Sequence, residues 1–433
     1  MSRIVALCAS ALVVAGCAVS TEPPGLSLAR MLVLHDGDHA ASTYADGVLA
    51  PVAAGHRDLL STVTVADGDV STAAVEVSNS VTAAPEVLAL SPDGTTAFVT
   101  ERLRQRRSGQ ITAAELAPGD RLFAVDVRDR GAPNLAGEVR IAQSPEALAV
   151  SPDGSTVAVV SNTPDAAVLT LVPWTANGFG RPTVFDLAAL GVTGSRPGPR
   201  GGVLATNVQW HPGGRALAIN IDTQNRVAFF EVTPQAAAVQ GWGTVETGPD
   251  PFVGRFTPDG SYYLTSNWGR NLTASTLAER LPSAPSSITV IEMSTPGRPP
   301  AHRVVATAES DRSAEGLAVS PDGAWVATVN MRGSALPDGT PGADRDGSVS
   351  LLRLDKSTGR LEKVGDYPLA GVLPEGGAFD PSGRYFVATI FEGRPGADGS
   401  GLQVYEVGAP GQPGLTPVQR VALPHGAHHV VVG

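Results

Sequence analysis

A four-residue phrase recurs six times along this chain of 433 residues. It reads Ser91-Pro92-Asp93-Gly94, Ser151-Pro152-Asp153-Gly154, His211-Pro212-Gly213-Gly214, Thr257-Pro258-Asp259-Gly260, Ser320-Pro321-Asp322-Gly323 and Asp380-Pro381-Ser382-Gly383. Successive copies lie 60, 60, 46, 63 and 60 residues apart. A near-constant period of this length marks a stacked or circular repeat protein. Each phrase also has a constant setting. Apolar alternation precedes it (Leu88 and Leu90, Leu148 and Val150, Leu317 and Val319), and a β-prone run follows (Val157-Ala158-Val159-Val160, Val326-Ala327-Thr328-Val329). That is a hairpin signal. Pro fixes φ at the turn and Gly accepts a positive φ.

Further strand-like runs follow in most repeats, such as Val168-Leu169-Thr170-Leu171, Val227-Ala228-Phe229-Phe230 and Val349-Ser350-Leu351-Leu352. About four short strands per unit describes a β-propeller blade. Six phrases give six blade cores. The segment His428-His429-Val430-Val431-Val432-Gly433 aligns with Glu86-Val87-Leu88-Ala89-Leu90-Ser91, and the strands it lacks stand at the other end, around Met31-Leu32-Val33-Leu34 and Ser61-Thr62-Val63-Thr64-Val65. The expected fold class is therefore all-β, a seven-bladed propeller closed by pairing of N- and C-terminal strands, which removes exposed sheet edges. A linear solenoid has a shorter period and no use for a half-repeat at each end.

The repeated phrase, with runs such as Ala158-Val159-Val160-Ser161-Asn162 and Val326-Ala327-Thr328-Val329-Asn330, resembles the YVTN-repeat propellers. The stretches Asp355-Lys356-Ser357-Thr358-Gly359-Arg360-Leu361 and Leu373-Pro374-Glu375-Gly376-Gly377-Ala378-Phe379-Asp380 look like the seven-bladed lactonase family, which includes propeller-type 6-phosphogluconolactonases. The resemblance spans nearly the whole chain after its first residues. It implies a propeller and, as one activity, lactone hydrolysis. Its motifs specify fold far more than chemistry.

The N-terminus carries one charge at Arg3, an apolar run from Ile4 to Val14, then Val14-Ala15-Gly16-Cys17. The run is too short for a membrane span and reads as a secretory signal. Val-Ala-Gly-Cys resembles a bacterial lipobox, so Cys17 is the expected lipidation site. The expected organisation is a lipoprotein signal peptide over 1–16, a lipidated tether over 17–27 and a propeller domain over 28–433. Cys8 and Cys17 are the only cysteines, which leaves the propeller without disulfide or thiol chemistry. Net charge is −11, and loss of Arg3 with the signal makes it −12. An acidic chain of this kind is unsuited to nucleic acid. The expected partners are the lipid bilayer through Cys17 and a ligand or protein of the cell envelope (outer membrane or cell surface), with the chain itself a monomer.

Aligning the repeats on the turn brings Glu86, Glu146, Thr206, Phe252, Glu315, Glu375 and His428 to one position, five residues before it. That position opens the innermost strand, so all seven are expected at one mouth of the central channel. Asn162, Asn220, Asn267 and Asn330 end the second strand and return to the same mouth. Four carboxylates there must hold raised pKa values, pair with arginine, or bind a cation. They serve either as strand-orienting hydrogen-bond acceptors or as a ligand site. Two residues before the turn, Ala89, Ala149, Ala318 and Ala378 give way to Gln209 and Arg255. Arg255 is placed to reach a channel carboxylate or an anionic ligand. The expected ligand-binding set is Glu86, Glu146, Arg255, Glu315, Glu375 and His428, with Glu146, Glu375 and His428 as candidate catalytic groups.

The closure blade brings His425, His428 and His429 towards His35-Asp36-Gly37-Asp38-His39. Imidazole and carboxylate together suit a divalent metal, with His35, Asp38, His39 and His428 as candidates. The alternative is histidines bonded to backbone. Arg102, Arg104, Arg106 and Arg107 form a basic loop that either binds an anion or is simply solvated. No nucleophile elbow, phosphate-binding glycine loop or zinc-protease helix is present. Three functions follow: a binding scaffold for a small molecule, glycan or protein at the channel mouth; a lactonase-like hydrolase, as the resemblance implies; or a purely structural member of an envelope assembly.

Overall fold

A computed structural model describes residues 28–81, 86–194, 199–233, 238–394, 399–409 and 411–433. The expected signal, tether and Cys17 lie outside the described residues. Seven antiparallel sheets form a ring. Blades one to six follow chain order, and their innermost strands are Leu88–Leu90, Pro145–Val150, Ala205–Trp210, Pro251–Phe256, Ala314–Val319 and Gly377–Phe379. The seventh blade has Ala427–Val432 innermost, then Leu28–His35, Leu59–Ala66 and Asp69–Glu76. Met31 pairs with Val432 and Val33 with Val430, so the two ends of the chain close the ring as the half-repeats predict.

Both faces of the closing strand are buried, which is what period-2 alternation of large apolar residues requires. Leu32 and Leu34 pack with Val99 and Val125 of blade one. Met31 and Val33 pack with Val387, Leu402 and Val404 of blade six. Each such side chain contributes about 1.5–3 kcal/mol.

The recurring phrase builds the same turn each time. In blade one, Ser91 Oγ donates to Asp93 Oδ1 (2.6 Å) and accepts from Thr96 N (2.9 Å). Gly94 then sits at φ +70°, in the left-handed region that favours glycine. Blade six exchanges the two side chains: Ser382 Oγ donates to Asp380, whose other oxygen accepts from Tyr385 N. In blade three His211 Nδ1 replaces the carboxylate and accepts from Gly213 N. Four different spellings across six blades thus give one turn, and these turns line one end of the channel.

At the other end the loops between second and third strands are unequal. They are short in blades two and three, where Asn162 leads to Ala167 and Ile221 to Arg226. They are long in blade one (104–117), blade four (268–286), blade five (331–346) and the closure blade (36–58).

Candidate functional site

The long closure-blade loop crosses the mouth. Its base is held by the segment read as a metal candidate. Asp36 Oδ1 accepts from the backbone of Asp38 and His39, and Oδ2 accepts from Val81 N. Asp58 accepts from Gly37 N and Asn79 N. A Cβ on Gly37 would lie 2.4 Å from the Arg57 backbone, so only glycine allows this approach. Farther along, Leu49 and Gly47 bond the blade-one loop at Ile111 and Ala113. Ala41 N donates to Glu392 at blade six, and Tyr44 Oη donates to Glu315 Oε1 (3.2 Å) at blade five. The loop is therefore a strap tied at both sides of the ring.

Beneath it the mouth residues part company. Glu315, Glu375 and His428 are sealed, at 0, 2 and 0 % exposure. Burial pushes the Glu315 carboxyl up to about 8. Glu375 is raised well above the carboxylate range by burial and by Glu315 beside it. Burial lowers His428 to about 3, and its Nε2 bonds Asn79 Oδ1 at 3.0 Å. His428 Nδ1 stands 4.0 Å from Glu375 Oε2. The two glutamates and His428 therefore rest neutral at pH 7, and the repulsion expected among four charged carboxylates does not arise here.

The metal candidates are engaged elsewhere. His35 Nδ1 meets the Pro424 carbonyl at 3.1 Å. His39 Nδ1 lies 2.7 Å from Asp36 Oδ2. Asp38 accepts from Ser80 Oγ and from Arg106, through its backbone N at 2.7 Å and its Nε at 3.3 Å. Among the described residues no three of His, Cys, Asp or Glu gather so as to hold a metal ion.

The expected basic loop is largely internal ion pairing. Arg102 clamps Glu146 through Nε and Nη2, both at 2.9 Å. Arg104 reaches Asp120 (3.1 Å), and Arg106 reaches Asp38. The asparagines stitch the sheets. Asn162 exchanges two 3.0 Å bonds with the Ala205 backbone of blade three, and Asn220 donates to Thr265 Oγ1 of blade four.

Over blades two and three, where the loops between second and third strands are short, a second set of side chains converges. Glu146 and Arg102 remain 14 and 21 % exposed. Arg270, from the blade-four loop, is 12 % exposed and forks onto Asp250 at 2.8 and 3.0 Å. Its guanidinium lies 4.1 Å from the Trp268 ring centroid and 4.8 Å from that of Phe252, a cation–π seat that fixes its plane. Asp222, at the tight blade-three loop, stands 3.6 Å from Arg270. Burial pushes the Asp222 carboxyl up to about 7 against the pull of Arg270, with Asp250 and Glu146 adding to the rise. Tyr44 completes the group from the strap, held between Glu315 and the field of Arg270.

Of the expected ligand set, only Glu146 belongs to this cleft and retains exposure. Tyr44, Arg102, Asp222 and Arg270 join it, none of which stands in the repeat position used to find the others. Glu86 turns away. Its Oε1 lies 2.8 Å from Arg255 Nη2 in blade four, an ion pair that spans the channel because blades two and three separate the partners. Arg255 thus reaches a channel carboxylate as expected, but it belongs with the turn end.

No protein-family model matches this chain, and no curated protein is similar to it in sequence. Solved structures are similar in fold. A Bacteroides uniformis protein provisionally described as a 6-phosphogluconolactonase is 15 % identical, with a TM-score of 0.65, over 94 % of this chain and 99 % of its own. The periplasmic gluconolactonase of Pseudomonas aeruginosa is 18 % identical, with a TM-score of 0.65, over 93 % of this chain and 98 % of its own. A Bacteroides fragilis protein, also provisionally described as a 6-phosphogluconolactonase, is 15 % identical with a TM-score of 0.63, over 95 and 99 % of the two chains. No helix among the described residues is long and apolar enough to cross a membrane. By fold, this chain stands with the seven-bladed propellers to which these lactonase-like proteins belong.

Proposed function

We propose that this chain hydrolyses a lactone of a polyhydroxylated acid at the open half of the strapped mouth. One observation carries the reading: a nearly buried carboxyl that titrates near neutrality, Asp222, faces a fixed guanidinium, Arg270, beside the Arg102–Glu146 clamp. A general base works best with a pKa near the working pH. In the reaction a water oxygen attacks the lactone carbonyl carbon and gives its proton to Asp222. The tetrahedral oxyanion lies against Arg270 or Arg102, whose positions cost no reorganisation. The ring C–O bond then breaks, and the leaving alkoxide takes the proton back from Asp222. The product is the open hydroxy acid. Tyr44 and Glu146 supply hydrogen bonds to the substrate hydroxyls. The gluconolactonase activity of a fold neighbour supports this choice over other hydrolyses.

Base-titrated hydrolysis of D-glucono-δ-lactone, corrected for the buffer rate, tests the proposal. The rate should rise with pH through about 7, as Asp222 loses its proton. Asp222→Asn should lower kcat by roughly 10²–10⁴-fold with little change in melting temperature. Buffer-level rates on a panel of γ- and δ-lactones, with and without divalent metals, would refute it.

A second reading keeps the cleft as a binding scaffold. It is favoured by the bidentate seating of both arginines, which makes them fixed donors for a sugar or an anionic ligand. Saturable binding without turnover separates it from the first.

The signal and Val14-Ala15-Gly16-Cys17 support export with acylation at Cys17, in keeping with a periplasmic fold neighbour. Incorporation of labelled palmitate, lost in Cys17→Ala, tests this. We place the chain as a monomer on the cell envelope, acting on a small molecule rather than on nucleic acid.

A further inference from the structure

The channel's turn end holds a cavity of about 350 Å³ that the strapped cleft does not use. Its walls come from the last residues of the innermost strands, among them Leu90, Val150, Phe256, Val319 and Phe379. Its rim reaches the exposed Pro152 of a turn. Its floor is polar: the Arg255–Glu86 pair, Gln209 beside it, and His429.

Two lining groups lack partners. His429 is 4 % exposed and its Nδ1 has no hydrogen bond among the described residues. Trp210 is 8 % exposed and its indole Nε1 is likewise unpartnered. Buried polar atoms of this kind are uncommon and are normally met by protein, water or ligand. Burial, aided by the nearby Arg255, lowers His429 to about 3 and keeps its ring uncharged. A neutral imidazole offers one donor and one acceptor.

We infer that this cavity is a second binding site, opposite the cleft, for an uncharged amphipathic molecule with a short apolar body and one hydroxyl, amide or ester end. The volume lies in the range of small-molecule sites, and so does the composition of apolar wall with few convergent polar groups. The head is uncharged because the floor charges already cancel. A carboxylate or ammonium would have to part Arg255 from Glu86 and leave one of them unpaired within the channel. A hydroxyl meets His429 and Gln209 without disturbing the pair.

The test uses the full propeller domain and hexan-1-ol, hexanoate and hexylammonium as probes, read by saturation-transfer NMR and by tryptophan fluorescence. Hexan-1-ol should bind saturably, at least about ten-fold tighter than either ion, a difference of about 1.4 kcal/mol. Ala149→Phe, which fills the cavity at the level of Arg255, should weaken it at least about ten-fold without altering lactone turnover. Ala378→Phe serves the same purpose from the opposite wall. Absence of saturable hexan-1-ol binding, equal binding by both filled variants, or tighter binding of either ion overturns the inference. If both variants fail to fold, the order of the three probes on the unaltered protein decides alone.

Discussion

The two ends of one channel solve the problem of buried charge in opposite ways. At the turn end, Glu86 finds Arg255 across the channel at 2.8 Å. At the strapped end, Glu315 and Glu375 have no arginine hydrogen-bonded to them among the described residues and hold their protons. The same position in the repeat thus yields ion pairs in blades one and two, with Arg255 and Arg102, and neutral acids in blades five and six. What differs is the loop above: the strap removes water from Glu315 and Glu375, and an isolated carboxylate in such a place costs more than protonation. A repeat supplies the scaffold, and the loops outside it decide the ionisation state.

Breaking the pair at the turn end should have the largest effect. Arg255→Met leaves the Glu86 side chain with no other hydrogen-bond partner among the described residues and should cost about 3 kcal/mol in denaturant unfolding, most of it recovered by adding Glu86→Leu. Arg102→Met at the strapped end should cost about half as much, since Glu146 keeps its 3.3 Å bond from Asn162 and some access to water. Equal losses would mean that the two ends are not energetically distinct.

The second test is pH. Burial raises Glu315 to about 8, and Asp222 and Asp58 to about 7. Each then binds its proton more tightly folded than unfolded, so stability is full below the unfolded value and falls as pH rises through the folded one. His35, lowered to about 4, and His428 and His429, lowered to about 3, act in the other direction and lose stability as pH drops below 6.5. The opposed slopes give a plateau near pH 5–6 and a decline from about 6.5 to 8. Glu315→Gln should flatten part of that decline. An unchanged slope in this variant would remove Glu315 from the account.

The smallest effect belongs to the turns. Asp153→Ala removes the acceptor for Ser151 Oγ (2.5 Å) and Ser155 N (3.0 Å) and should cost about 1 kcal/mol. A loss near that of Arg255→Met would show that single turns govern the ring.

The ring was legible because its evidence is periodic. The continuous apolar run Met31-Leu32-Val33-Leu34 and the orphan half-repeat at His428 point to each other in the sequence itself. Half of the mouth was legible too, since strand direction alone brings Glu146, Glu315 and Glu375 to one end. The cleft was not. Tyr44, Asp222 and Arg270 lie in loops that alignment on the turn leaves out, and their meeting depends on chain reversals hundreds of residues apart. A weak signal existed in Trp268-Gly269-Arg270, an aromatic and a cation two residues apart in a long loop, and in the crowded His35-Asp36-Gly37-Asp38-His39. The latter read as metal ligands because imidazole and carboxylate also make good loop anchors. Composition does not separate the two uses.

The strap belongs to the one blade assembled from both ends of the sequence. Tyr44 is therefore made among the first residues of the domain and waits until residues 427–432 exist to fix the strand that carries it. A ribosome or an export channel delivers the chain N-terminus first. Six blades can form with the cleft still missing one wall. Closing the ring doubles as an inspection of the product: a chain stopped short, or nicked in the closing blade, lacks that wall before it is unfolded.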